Sequence, residues 1–240
     1  MNEALKKTVL ISTLCVFCAA GASAEAFLYE DGFEQRDGAL NGAPTAEPFG
    51  RWKADEGLVV SSGVMKAASV GVYDAAIPLP ELSENSVVRL EMRLRLWRAP
   101  GKDDTGFAFG FTPFYPTRLY GEGSAFMILQ SMTGQLQVYS GKGLLNRLTR
   151  GWLNPWDSFE PEKRFNVVYE YRVKDGTMTL ELSQGEERHR VFDGKKLDWM
   201  APGIAVPVEE MRHLVFMFNK QAVSGASGYI DHMRVEVYEP

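Results

Sequence analysis

The segment at residues 88–97 constrains the fold of this chain more than any other stretch of the sequence. Every second position is apolar, namely Leu90, Met92, Leu94 and Leu96. The intervening positions hold Glu91, Arg93, Arg95 and Trp97. Successive side chains of a β-strand point to opposite faces of a sheet, and this period of two differs from that of a helix. The segment therefore predicts a strand with one buried face and one outer face.

Two further regions have the pattern of antiparallel hairpins. Residues 165–173 and 177–182 are joined through Asp175-Gly176, a dipeptide whose backbone preferences suit a tight hairpin turn. Residues 126–130 and 135–139 flank Thr133-Gly134 and predict a second hairpin. Other strands are expected at residues 27–34, 107–111, 213–219 and 229–238, with one short helical turn near residues 209–212. This density of strands, without a repeat period, predicts an all-β sandwich.

The N-terminal segment has the pattern of an export signal. Lys6 and Lys7 precede an apolar run at residues 9–20, and Ala22-Ser23-Ala24 supplies small residues for cleavage. The run is short for a membrane anchor, which needs about 20 apolar residues. We therefore predict a signal peptide at residues 1–24, one domain at residues 25–240, and a secreted or periplasmic protein without a membrane span after cleavage.

Cysteine usage and charge limit the stabilising and binding chemistry. Both cysteines, Cys15 and Cys18, lie inside the predicted signal peptide, so core burial rather than disulfides must hold the mature domain. Removal of residues 1–24 takes away two lysines and one glutamate, which changes the net charge from −5 to −6. No basic stripe is present, so nucleic acid is not expected as a partner.

Three short segments resemble the concanavalin A-like lectin and glucanase superfamily. Residues 30–34, Glu-Asp-Gly-Phe-Glu, look like its acidic and aromatic first strand. Trp52 followed by Gly63-Val64-Met65 looks like its early hairpin, and residues 228–235 are similar to its last strand. The likeness is to the bacterial branch with LamG-like modules and the 3-keto-disaccharide hydrolase domain. It implies a jelly-roll β-sandwich of two antiparallel sheets, and a sugar-handling function.

The chain also departs from the enzymes of that superfamily. The laminarinase pattern Glu-x-Asp-x-x-Glu, which aligns two acids along one strand face, is absent. The Asn-Ser-Gly segment of the keto-disaccharide hydrolase branch is replaced by Asp104-Thr105-Gly106, and its Asn-Gly turn by Asp175-Gly176. Neither a Gly-x-Ser-x-Gly motif nor a pair of histidines with zinc-ligand spacing occurs.

The outer positions of the predicted strand at residues 88–97 form the candidate carbohydrate site. Flat aromatic rings stack on sugar C–H faces, and charged side chains bind hydroxyl pairs. Beside Glu91, Arg93, Arg95 and Trp97, the sequence offers in its loops Tyr115, Arg118, Tyr120, Trp152 and Trp156. The alternative interpretation is that the tryptophans close the rim of the core and that the charges form a solvated face.

A structural calcium ion is a second candidate feature. Asp31 on the first strand and Asp231 on the last strand could share the ion if the terminal strands pair. The alternative is that each aspartate accepts backbone N–H groups at a strand end.

These observations favour an exported, non-catalytic protein that recognises a glycan or oligosaccharide. An enzyme that cleaves glycosides or modifies sugars is the first alternative, with Glu91 as general acid or base. A structural envelope protein that binds other proteins through a sheet face is the second. The sequence predicts no oligomeric state.

Overall fold

The structure is a computed structural model, and every regular element in its described part is a β-strand. It describes residues 26–34, 37–96, 106–112, 115, 125–130, 135–140, 160, 162–196, 200–201, 204–205, 212–220 and 228–240. In this part of the chain, no helix is long and apolar enough to cross a membrane. The all-β prediction is confirmed, and residues 206–211, which hold most of the predicted helical turn, lie outside the described ranges.

The larger sheet has nine strands and contains both terminal strands. Its strands are β1 (Phe27–Asp31), β2 (Gly38–Ala39), β4 (Leu58–Val60), β5 (Met65–Ala67), β7 (Val87–Arg95), β11 (Phe165–Arg172), β12 (Thr177–Gln184), β13 (Glu187–Lys196) and β17 (Tyr229–Tyr238). The order is β13-β12-β11-β7-β17-β5-β4-β2, and β1 also pairs with β17. All of these pairings are antiparallel.

The second sheet has six strands and packs over the first. Its strands are β3 (Lys53–Ala54), β6 (Gly71–Pro78), β8 (Gly106–Thr112), β9 (Ala125–Gln130), β10 (Gln135–Ser140) and β16 (His213–Lys220). Their order is β10-β9-β8-β16-β6-β3. Two short strands, β14 (Met200–Ala201) and β15 (Ile204–Ala205), form a separate pair. Two antiparallel sheets face to face form the predicted jelly-roll sandwich.

Most of the predicted strands are present, with two instructive differences. The opening strand ends at Asp31 rather than at residue 34, because Asp31 Oδ1 accepts the N–H of Phe33 and Phe33 turns at a φ of 58°. Strand β13 was not predicted. It pairs with β12 after the turn at Gly185, through two register irregularities, and it is an edge of the larger sheet in the described part of the chain.

The core lies between the two sheets and is rich in aromatic side chains. Phe107, Phe109 and Phe216 from the smaller sheet meet Tyr169 from β11 and Trp52. The indole N–H of Trp52 donates to the Tyr29 hydroxyl over 2.9 Å, and that hydroxyl donates to Asp31 Oδ2 over 2.7 Å. This chain of hydrogen bonds satisfies the polar atoms of two buried aromatics.

A β-bulge at Asp231 changes the phase of the last strand. Ile230 pairs with Leu94 and His232 pairs with Arg93, so Asp231 is the extra residue. The bulge lets Ile230 before it and Met233 after it both face the core, although they are three positions apart. Because of the bulge, Asp231 and His232 both lie on the outer side of the sheet, although they are consecutive in the chain.

The facing of β7 leads to the first prediction. Leu94 is 1% exposed, so Leu94→Ala leaves a cavity and is expected to cost about 2–5 kcal/mol of unfolding free energy. The control is Asn166→Ala on the exposed side of neighbouring β11, which is expected to change stability by less than about 0.5 kcal/mol. Urea denaturation of both variants measures the difference. Equal losses would contradict the facing of β7.

The ring of Tyr73 leads to the second prediction. A Cβ at Gly57 would lie 2.1 Å from this ring, whose hydroxyl bonds to Ser69 Oγ and to the Val70 carbonyl. Gly57→Ala must therefore displace the ring, and we expect a loss of about 1–3 kcal/mol. Gly32→Ala is the control, because its Cβ would meet nothing closer than 4.0 Å. In a Tyr73→Ala background the cost of Gly57→Ala should largely disappear, and a persistent cost would implicate another contact.

Candidate functional site

The predicted site residues of β7 lie together on the outer face of the larger sheet. Glu91, Arg93 and Arg95 are partly exposed and alternate with fully buried neighbours. The aromatic members of the predicted site, Trp97, Tyr120, Trp152 and Trp156, lie outside the described residues, as does Arg118. The described part of the site is therefore its charged half.

Glu91 is held in a network of ion pairs. Its Oε1 accepts the Nε–H of Arg89 over 2.8 Å, and Arg89 also contacts Glu170 at 3.5 Å. Burial lowers the pKa of the Arg89 guanidinium, but its hydrogen bond to Glu91 and the charges of Glu91, Glu170 and Glu236 together raise that pKa above its usual value. The cross-strand partner of Glu91 on β17 is another cation, Arg234. The carboxylate of Glu91 thus has cationic neighbours on a sheet face.

Arg93 and Arg164 share one buried carboxylate. Arg93 Nε lies 2.5 Å from Asp231 Oδ1, and Arg164 Nε lies 2.7 Å from Asp231 Oδ2. The side chain of Asp231 is 5% exposed, whereas those of Arg93 and Arg164 are 44% and 62% exposed. The bulge places Asp231 between them, and Arg164 directly precedes β11. Below, these three residues are called the arginine cluster.

Arg95 lies beside the arginine cluster and packs on an aromatic ring. It pairs with Tyr229 across β7 and β17, its Nη1 donates to the Tyr229 hydroxyl over 3.0 Å, and its guanidinium carbon lies 5.8 Å from the ring centre. Stacking and hydrogen bonding together fix the plane of the guanidinium. This end of the outer face therefore presents the N–H donors of guanidinium groups whose orientation is fixed by their contacts.

The outer face of the smaller sheet is covered rather than open. Ala76, Ala108, Val215 and Met217 point away from the main core and are nevertheless at most 1% exposed. Tyr115 packs on them, and its hydroxyl lies 3.3 Å from the Asp74 carbonyl. Burial and the charges of Asp55 and Asp74 raise the pKa of the Tyr115 phenol above its usual value. Tyr115, which the sequence placed beside the candidate groove, thus lies on the opposite side of the sandwich.

Asp31 and Asp231 both have protein partners in the described residues. The terminal strands do pair, with Asp31 opposite Met233. Asp31 accepts hydrogen bonds from Tyr29 and from the Phe33 N–H, and it lines a cavity of about 540 Å³ with Glu30 and Glu34. Asp231 forms ion pairs with two arginines. The described residues contain no group of three or more potential metal ligands. These partners favour hydrogen bonding over a shared calcium ion, which stays a prediction that melting with a chelator would test.

Sequence reasoning missed Arg164 and Tyr229 as members of this surface. The register that brings Arg164 to Asp231 comes from pairing between β11 and β7, which are about 70 residues apart in the chain. The bulge did leave a signal in the sequence. The apolar positions of the last strand change from even to odd between Ile230 and Met233, so a regular strand could not bury both.

Comparison with solved structures supports the fold. The winged bean acidic lectin complexed with methyl-α-D-galactose matches with a TM-score of 0.61 at 10% identity, covering 90% of this chain and 100% of that chain. Peanut lectin matches with a TM-score of 0.60 at 11% identity, covering 89% and 98%. The exoplasmic/lumenal domain of VIP36 in its Ca²⁺- and mannose-bound form matches with a TM-score of 0.51 at 12% identity, covering 77% and 82%. No family model and no curated protein matches. The chain therefore has the concanavalin A-like jelly-roll fold of these lectins.

The arginine cluster leads to the third prediction. Arg93→Ala and Arg164→Ala should each cost less than about 1.5 kcal/mol, because the remaining arginine still compensates the buried carboxylate of Asp231. The double substitution leaves that carboxylate without its cations, and we expect a loss of about 3–5 kcal/mol. Urea denaturation at pH 7 measures this non-additivity. Strictly additive losses would show that the two arginines do not share Asp231.

Proposed function

We propose that the chain is an exported, non-catalytic carbohydrate-binding protein. Its binding surface is the end of the outer face of the larger sheet that carries the arginine cluster and Arg95. The observation that carries the proposal is the buried carboxylate of Asp231, which holds two exposed guanidiniums by their Nε atoms. Ordered planar donors suit pairs of neighbouring sugar oxygens, and little conformational entropy is lost when they bind.

The fold and the sequence add independent support. The lectins with the same fold include complexes with galactose and mannose derivatives, although one fold serves many functions. The basic, apolar and small-residue segments at residues 1–24 favour export, and secreted or periplasmic compartments are rich in glycans. Kinship with the bacterial LamG-like branch stays a proposal that rests on the short motifs described above.

The ion pairs of Glu91 argue for binding rather than hydrolysis. A glycosidase needs two carboxyl groups that converge on one bond, about 5–10 Å apart, with one of them kept protonated. Glu91 instead accepts a hydrogen bond from Arg89 and lies opposite Arg234, so its contacts in the described part of the chain are with cations rather than with a second carboxyl group. A glycan-binding surface requires no such pair of acids.

The fourth prediction tests binding and catalysis together. Purified protein on a glycan array should bind at least one oligosaccharide with micromolar to millimolar Kd, on the order of −4 to −8 kcal/mol, and should turn over no chromogenic glycoside. Arg93→Ala should weaken that binding by at least about 1 kcal/mol, and Trp97→Ala should do the same if the alternation of β7 continues to residue 97.

Glu91→Gln separates the binding protein from the enzyme. The amide keeps the shape of the carboxylate but removes its proton chemistry, so a binding protein keeps its affinity and shows no turnover in either form. A glycoside-cleaving enzyme would instead lose its rate by about 10² or more. If wild-type protein binds no glycan and cleaves no glycoside, the carbohydrate proposal fails in favour of an envelope protein with a protein partner.

A further inference from the structure

We infer that the arginine cluster recognises the anionic group of an acidic glycan. This inference rests on the proposed function and names its ligand class as a saccharide that carries carboxylate or sulfate groups. The recognising atoms are the terminal Nη atoms of Arg93 and Arg164. The lectin complexes with the same fold that are cited above hold galactose and mannose derivatives, so this ligand class comes from the side chains of this chain.

The contacts of Asp231 leave one edge of each guanidinium available. Both arginines approach the carboxylate through Nε. Within the described ranges, neither the guanidinium of Arg93 nor that of Arg164 has a second hydrogen bond or ion pair. An arginine presents five N–H donors, and its two terminal nitrogens match the spacing of carboxylate or sulfate oxygens. The carboxylate of Asp231 orients both guanidiniums, so their two donor edges can bind one anion in a fixed orientation.

The balance of charge also separates this cluster from the rest of the outer face. Two guanidiniums share one carboxylate here, so the three residues carry a net charge of +1. Two other arginines of the same sheet differ, since Arg234 pairs with Glu236 and Arg190 contacts both Glu181 and Asp193. A whole chain of net charge −5 thus retains a local cationic site.

The size of the site favours a saccharide over nucleic acid. A duplex requires several neutralised phosphates along its backbone, whereas the three residues of the cluster together supply one net positive charge. An acidic sugar places a single anionic group beside neutral hydroxyls, which also suits the adjacent pair of Arg95 and Tyr229. The combination of one anion site and neighbouring hydrogen-bonding side chains fits an acidic glycan.

The fifth prediction compares a charged glycan with its neutral counterpart. Isothermal titration with tetragalacturonate should give a Kd at least tenfold tighter than its methyl ester, which has the same sugars without the charges. Raising NaCl from 50 to 500 mM should reduce this advantage, because an exposed ionic contact is screened. Dextran sulfate and plain dextran form a parallel pair, which shows whether sulfate or carboxylate is preferred.

Three variants locate the effect. Arg93→Gln and Arg164→Gln should each bring the affinity for tetragalacturonate to within about threefold of that for the methyl ester. Arg188→Gln is the matched control, because Arg188 is exposed on β13, makes no ion pair in the described part of the chain, and loses the same charge. The control should bind like the wild type. Thermal melting shows that each variant is folded.

Asp231→Asn distinguishes a built site from a general attraction. The substitution removes a negative charge, so a simple field effect would tighten the binding of tetragalacturonate. In the built site, the neutral amide no longer holds both guanidiniums by charge, and binding should weaken at least fivefold in a folded variant. Stronger binding by Asp231→Asn, or equal losses in Arg164→Gln and Arg188→Gln, would overturn the inference.

The experiment also separates this inference from the proposed function. If the methyl ester and tetragalacturonate bind equally well and Arg164→Gln changes neither, carbohydrate binding survives and the acidic ligand is wrong. If no glycan binds, both fail. Binding to anionic lipid vesicles with none to tetragalacturonate or dextran sulfate would assign the cluster to a membrane surface and overturn the glycan.

Discussion

The two sheets pack against each other through one apolar face each, and the rest of the structure depends on this constraint. Strand β7 shows it most clearly, because it pairs with β11 on one side and β17 on the other while Leu90, Met92 and Leu94 face the second sheet. Residues 25–240 contain no cysteine, so burial of this kind rather than a disulfide stabilises this part of the chain. The outer face is then free to hold the charges that a core excludes.

The bulge in β17 connects that constraint to the candidate site. Burying both Ile230 and Met233 requires one extra residue, and this residue is Asp231. A carboxylate that loses most of its solvent needs cationic partners, and Arg93 and Arg164 supply them from the strands and loop beside it. The cluster is thus a consequence of how the last strand completes the core, and its chemistry follows from that packing.

The sequence predicted local features well and long-range ones poorly. Alternation in β7 and the Asp175-Gly176 turn depend on neighbouring residues, and both the strand facing and the hairpin are confirmed. The partnership of Arg164 with Asp231 depends on register between distant strands, which no local pattern contains. Tyr115 was assigned to the wrong side of the sandwich for the same reason, since its position depends on tertiary packing against Ala76 and Val215.

The charged strand β13 has a consequence for how the protein behaves at high concentration. A sheet edge with unpaired backbone groups is a template for another chain, and such addition leads to aggregates. Along β13 the exposed side chains include Arg188, Arg190 and Lys195, and the two irregularities in its pairing with β12 disturb the flat geometry that a new strand would need. Repulsion between like-charged edges then opposes the edge-to-edge addition of chains from which fibrils grow.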